Sequence, residues 1–279
     1  MPDLKPYETA VARAARWLVG QQNPDGSIEP VEAGLACYHK VPYALSLAGE
    51  IAAAARLLDW VRDNDLCDTG DLGARYDRLP PYEKQWATPN AWVICAAQRT
   101  GQFDISELGL EYLIARLKSD GGWGDPEGTA WVGLAFLQAG ALDMARAALE
   151  RLIESMSTGQ PSGAAATFLV RLCRAAVSER YLAAAIVALE PAVQAASAPL
   201  DANRAELGRA AALFSGMTAD PDYERLATAV ADQVVAQQRE DGSWRLSDGD
   251  EPHRIVDFTA ESAVALGEMI EGLAMGRRG

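Results

Sequence analysis

The sequence is poor in several residue types, and each shortage narrows what the protein can be. Its 279 residues include four cysteines, Cys37, Cys67, Cys95 and Cys173, far apart and with no CxxC pair. That spacing supplies neither a disulfide framework nor a zinc-finger pattern. Only two histidines are present, His39 and His253, so no metal centre is expected. Val and Ile never alternate with polar residues over strand length, which argues against a sheet. No Gly-rich phosphate loop occurs, so no nucleotide cofactor is expected. The longest apolar stretch, 181–200, is interrupted by Glu190 and Pro191 and does not read as a membrane span. The first ten residues lack the basic start and apolar core of a secretory leader, making the cytoplasm, with reduced thiols, the expected location.

Positive charge is also scarce. Twenty-five Lys and Arg stand against 39 Asp and Glu, for a net charge of -14 and a pI near 4.6. A field of that sign repels phosphate backbones, which excludes nucleic acid as a partner and gives no support to an anionic-membrane role.

What the chain has in quantity is helix-forming sequence, rich in Ala, Leu, Arg and Glu. Apolar spacing and turn signals divide it into six helix pairs, an outer helix followed each time by an inner one. The expected pairs are 7–21 with 37–47, 51–62 with 90–99, 105–118 with 129–138, 142–156 with 164–176, 180–195 with 202–214, and 223–238 with 259–273. Val11, Ala14, Ala15 and Leu18 form the single apolar stripe of an outer helix, whereas 91–97 is apolar all round, as an inner helix should be. Six such pairs form one domain, 1–279, and the fold class expected is an all-α (α/α)6 barrel, a toroid of two helical layers. An open solenoid is the rival, but neither end carries a polar capping repeat.

Three helix ends look alike: Trp17-Leu18 with Gln21-Gln22 and Gly26; Tyr112-Leu113 with Gly121-Gly122-Trp123; and Gln237-Gln238 with Gly242-Ser243-Trp244. In each, a Gly-bearing turn stops the helix and a bulky residue follows to pack back on it. These segments resemble the QW motif of the terpene cyclase and prenyltransferase superfamily, the squalene-cyclase-like α/α toroids. The resemblance implies a largely apolar central cavity, with chemistry near the amino-terminal ends of the inner helices. It also implies a hydrophobic small-molecule substrate, terpenoid- or polyene-like. The DxDD motif with which class II terpene cyclases protonate their substrates is absent. Asp65-Leu66-Cys67 has the Asp-x-Cys spacing of a prenyltransferase zinc site but lacks a third ligand.

Candidate chemistry falls at the expected inner-helix starts. In Tyr38-His39-Lys40-Val41-Pro42-Tyr43, His39 is a candidate proton carrier, with Tyr38 and Tyr43 as its relay; a hydrogen-bonded structural histidine is the alternative. Asp257 and Glu261 are four apart, so they share a helix face, and either can supply the opposing acid. Asp257 equally suits a helix cap. Asn90, Trp92, Trp131, Phe168 and Asn203 are candidate substrate-binding residues, the aromatics lining a pocket or facing a developing cation. The loop 67–88 is long enough to cover the cavity mouth. The function expected is a cyclase, isomerase or lyase working by acid–base chemistry without a cofactor. A non-catalytic binding or scaffold protein is the second expectation. A carbohydrate-active toroid is the third, disfavoured at this stage because the inner helices look too apolar.

Overall fold

A computed structural model describes residues 2–72, 86–118, 122–123, 125–156, 162–176, 178–195 and 198–276. Outer helices are α1 (Lys5–Gly20), α4 (Ile51–Asn64), α6 (Phe103–Ala115), α8 (Leu142–Met156), α10 (Glu179–Gln194) and α12 (Pro221–Ala236). Inner helices are α2 (Leu35–Tyr38) and α3 (Val41–Leu47), then α5 (Ala87–Thr100), α7 (Pro126–Gln138), α9 (Gly163–Ala175), α11 (Ala202–Thr218) and α13 (Pro252–Met275). Each inner helix packs on the next, α3 on α5, α5 on α7, α7 on α9, α9 on α11 and α11 on α13. The ring closes where α13 returns to α3. α1 meets α12 in the outer layer beside this junction. The all-α toroid read from the sequence is the observed architecture.

Composition explains the two layers. Outer helices bury one stripe: α1 buries Tyr7, Ala10, Val11, Ala14, Ala15 and Leu18, and leaves its other faces to solvent. Inner helices are covered on all sides, and α5 is buried continuously from Ala87 to Ala97. Small residues set the spacing where two inner helices touch. A Cβ on Gly272 of α13 would lie 2.5 Å from the Ala212 carbonyl carbon of α11, so only glycine permits that approach.

Neighbouring outer helices are locked together by a repeated turn. After α1, the Gln22 amide nitrogen donates to the Gly26 carbonyl at 3.1 Å and to the Ala53 carbonyl of α4 at 3.0 Å. After α12, Gln238 donates to Gly242 at 3.0 Å and to Ala10 of α1 at 2.9 Å. The last turn therefore grips the first helix with the device that joins the first pair to the second. Gly26, Gly70 and Gly242 all have positive φ, and each lies against a carbonyl of the next outer helix, that of Arg56, Leu108 and Arg13. Gly70 belongs to a fourth turn, 65–72, whose Leu66–Leu72 bridge repeats the Gln22–Ile28 bridge. Asp65-Leu66-Cys67 is thus a repeat turn in its local geometry, and no group of three potential metal ligands occurs among the described residues.

Two expected boundaries are corrected. The first inner helix is not continuous from 37 to 47 but breaks at His39 and Lys40, with Pro42 in the first turn of α3, where its missing N–H costs nothing. The last inner helix begins at Pro252, not 259, because Pro252 starts the helix directly after Glu251. Asp257 is therefore inside α13 and is not its cap. Most of the proposed cover loop, 73–85, lies outside the described residues. Among those described, no helix is long and apolar enough to cross a membrane.

Closure through the last turn is testable. Gly242→Ala places a Cβ 2.7 Å from the Arg13 carbonyl at a φ of +96°, and Gln238→Ala removes both of its bonds to the turn and α1. Each is expected to cost roughly 1–3 kcal/mol by urea unfolding. Gly20→Ala, with open space around it, serves as the control and should cost nothing.

Candidate functional site

The inner helices start at one end of the ring, and a cavity of about 1320 Å³ opens there. Trp92 from α5, Glu127 and Trp131 from α7, Gly163 from α9, Asn203 and Glu206 from α11, and Asp257, Phe258 and Glu261 from α13 all line it. Lys40 projects into it from the break between α2 and α3.

The charge of the lining departs from expectation. Among the described residues, Glu127, Asp201, Glu206, Asp250, Glu251, Asp257 and Glu261 are seven carboxylates on the lining, with Lys40 and Arg254 as the Lys and Arg cations. The cavity surface is still mostly apolar, as the resemblance implies, and the carboxylates add an acidic side to it. Of these, Glu127, Asp201 and Glu251 stand at helix starts, whose partial positive charge favours carboxylates, whereas Glu206, Asp257 and Glu261 lie further in.

Lys40 organises part of this acidity. Its Nζ lies 2.6 Å from Glu261 Oε2 and 3.1 Å from both Asp257 oxygens. The two acids do share a face, and a lysine bridges them. His39, fully buried, donates from Nδ1 to the Leu35 carbonyl at 2.8 Å and turns Nε2 toward Asp257 Oδ1 at 3.5 Å. Burial pulls its pKa down to about 4, outweighing the Asp257 carboxylate. At neutral pH His39 is an uncharged imidazole behind the cavity wall.

A second cluster lies deeper. Glu268 of α13 is 1% exposed. It accepts from Arg209 Nε at 2.8 Å and Nη2 at 2.5 Å, from Arg171 Nη2 at 2.5 Å and from the Tyr43 hydroxyl at 2.8 Å. Burial drives the Glu268 carboxyl upward, but Arg171 and Arg209 reverse this and hold it down at about 2. The remaining Arg209 donor, Nη1, reaches Glu206 Oε1. Glu206 borders the cavity, and its Oε2 is buried and accepts no hydrogen bond among the described residues. Burial, opposed by Arg209 and reinforced by Glu261 and Glu268, raises Glu206 to about 7. Burial, Asp125 and Glu261 also push Glu127 upward.

Aromatic rings cover this second cluster. Trp92 and Trp131 stack at 4.0 Å between centroids, and Arg209 lies over both rings, at 5.8 and 5.3 Å. Of the residues singled out in the sequence, Trp92, Trp131, Asn203, Asp257 and Glu261 border the cavity. Asn203 also accepts from the Gly163 backbone at 2.6 Å. Asn90 is placed differently from the expectation: fully buried, it accepts from the Leu72 backbone and donates to the Trp86 carbonyl, joining the turn to α5. Phe168 is buried against Gly133 of α7. The His39, Tyr38 and Tyr43 relay is not assembled. Tyr38 packs edge-on against Trp60 of the outer layer, and Tyr43 serves Glu268.

The sequence also places Glu206 beside Asn203 at an inner-helix start and Lys40 in the Tyr-His-Lys entry, whereas Glu127, Arg209 and Glu268 were not singled out from it. A signal existed for the deeper three. Arg171, Arg209 and Glu268 are charges beside apolar runs of inner helices, where a buried charge must find a partner.

The helical ring defines the fold class: an α/α toroid. Solved structures of that shape include the type II terpene cyclase MstE from Scytonema bound to geranylgeranyl dihydroxybenzoate, its substrate. It shares 13% identity at a TM-score of 0.66, covering 98% of each chain. A D-mannose isomerase gives 12% and 0.73, covering 95% of this chain and 97% of the other. An α-1,6-mannanase from Salegentibacter sp. in complex with α-1,6-mannotriose gives 11% and 0.70, covering 95% and 99%. Likeness at this identity establishes the fold, not the reaction. No family model matches the sequence, and no curated protein matches it.

The opposed shifts of His39 and Glu206 predict a particular pH dependence of stability. His39 titrates at about 4 in the fold against 6.5 when free, so acidification from pH 6.5 to 4 favours the unfolded chain. Glu206 titrates at about 7 against 4.5, so acidification from pH 7 to 4.5 favours the fold, and Glu127 adds in the same sense. Each of the two larger effects reaches up to about 3 kcal/mol, and they offset one another. Urea midpoints should rise on acidification in His39→Gln and fall in Glu206→Gln, with the parent protein flatter than either. Parallel profiles in all three would refute the assignment.

Proposed function

We propose that the cavity is the active site of an enzyme that isomerises or cyclises an uncharged small molecule by acid–base chemistry. The observation that carries this is Glu206, which borders the cavity and whose buried Oε2 has no hydrogen-bond partner among the described residues. Its raised pKa keeps a proton available near neutrality, the condition for a general acid or base. Lys40, held by Asp257 and Glu261, supplies a fixed charge array on another part of the wall. His39 stands behind Asp257 as a buried, uncharged imidazole, Nε2 3.5 Å from Oδ1.

The excess of carboxylates bears on substrate charge. Phosphorylated or carboxylated substrates are repelled by such a lining, whereas neutral ones are not. A terpenoid- or polyene-like molecule fits the apolar part of the wall, formed by Trp92, Trp131, Leu200, Val234 and Phe258. There the ring faces can stabilise a developing cation. A hydroxylated, sugar-like substrate is the second possibility. It is favoured by the hydrogen-bonding groups of Ser162, Asn203, Gln237 and Ser262 among the carboxylates.

Solvent deuterium is the test. Incubation in D2O with unphosphorylated polyenes and prenyl alcohols, and separately with aldoses and ketoses, should give a product carrying deuterium, read by mass spectrometry. Glu206→Gln should lower kcat by at least roughly 100-fold while remaining folded. A ligand that binds the cavity, measured by calorimetry, but emerges unchanged and unlabelled would instead indicate a binding protein.

A further inference from the structure

We infer that Glu268 is a positioning residue for Glu206: by taking two of the three donors through which Arg209 binds carboxylates, it leaves Glu206 with a single bond and one oxygen free. This rests on Glu206 being the proton carrier proposed above. Arg209 is 1% exposed and its guanidinium is divided unevenly, Nε and Nη2 to Glu268 and Nη1 to Glu206. Were Glu268 absent, the guanidinium could form the two-pronged pair with Glu206 that Arg and carboxylate favour, and the free oxygen would be lost. Arg171 enters on the other side. It binds Glu268 Oε1, as does Tyr43, and so limits how much of Arg209 Glu268 demands.

The charged surroundings of Glu206 are few. Its own helix, α11, supplies Arg209 and the buried Arg204; α13 supplies Glu261 and Glu268; α9 supplies Arg171, through Glu268. Glu127 and Lys40 share the cavity with it. Charged groups on α10 and α12 are engaged elsewhere or exposed: Arg180 with Glu150, Asp232 with Tyr7, Asp222 with Arg225, and Glu190 in solvent. The division of Arg209 is therefore the control that lies within reach of substitution.

Two variants that leave Glu206 itself untouched should move its titration in opposite directions. Glu268→Gln removes a neighbouring negative charge and frees Arg209, so Glu206 should bind its proton less tightly. Arg171→Gln makes Glu268 draw harder on Arg209, so Glu206 should bind it more tightly. Each shift should be about one pH unit, a tenfold change in proton affinity. The measurement is a carbon-13 titration of the full chain labelled at glutamate carboxyl carbons, with the Glu206 resonance identified by its loss in Glu206→Gln. Movement of both midpoints in the same direction, or of neither, overturns the inference. Arg171 is 23% exposed at its side chain and is the variant better suited to fold if the buried Glu268→Gln does not; an unmoved midpoint there is sufficient to overturn it. The titration needs no substrate. Failure of Glu206→Gln to affect turnover would sink the proposed reaction alone, whereas an unmoved midpoint sinks only the division of Arg209.

Discussion

A single carboxylate, Glu268, is the charge around which the inner ring is arranged. An isolated ion in that environment costs several kcal/mol, so it can remain there only if opposing charges and donors reach it from every side. They come from three other inner helices: Tyr43 on α3, Arg171 on α9 and Arg209 on α11. Four helices that are far apart in sequence are thereby fixed in relative rotation, and apolar packing alone sets rotation less strictly. Arg209 carries the same constraint toward the opening. Its third bond ends on Glu206, and its guanidinium lies over the Trp92 and Trp131 rings. The cavity wall is thus an extension of the ion cluster and not a separate feature added to a finished scaffold.

The outer layer solves a different problem. A ring of amphipathic helices must also bind each helix to the next without a sheet to do so. The turn after α1 and the turn after α12 both use a glutamine side chain that bonds its own turn and the following outer helix. A glycine packs on a carbonyl of that same helix. A further link ties three turns to their inner helices: Leu72, Trp123 and Trp244 donate their backbone N–H to Asn90, Thr129 and Thr259. Asn90 and Thr259 are therefore structural in this repeat.

Repetition is why so much of the fold was legible. The Gln-Gln and Gly-x-Trp segments state locally where a helix stops and what grips it, and the apolar stripes state which side faces inward. The turn at 65–72 escaped notice because it has neither the glutamine nor the tryptophan, and its Asp-x-Cys spacing suggested a metal ligand set. The site was harder to read for a physical reason. Glu206, Arg209 and Glu268 are joined only by ring closure, and their sequence separation hides a contact set by helix rotation. The break at His39 and Lys40 was half visible, since Pro42 disrupts a helix start. Where it directs Lys40 depends on α13, whose own beginning lies two turns earlier than the periodicity suggests.

The two charge systems divide the cavity between them, and their difference gives it chemical direction. Around Lys40, the ammonium lies within 3.1 Å of carboxylate oxygens on both Asp257 and Glu261. Around Arg209, the stronger claim of Glu268 leaves Glu206 only partly neutralised, and burial makes its charged form costly. Opposite responses to one acidic field are what an acid–base site requires: one group is held as an ion pair and the other is free to exchange a proton. A uniformly apolar cavity could bind a polyene but could not start a reaction on it. Uniformly paired acids could hold a polar ligand but would have no proton to give. The uneven division of a single guanidinium is what separates this cavity from both.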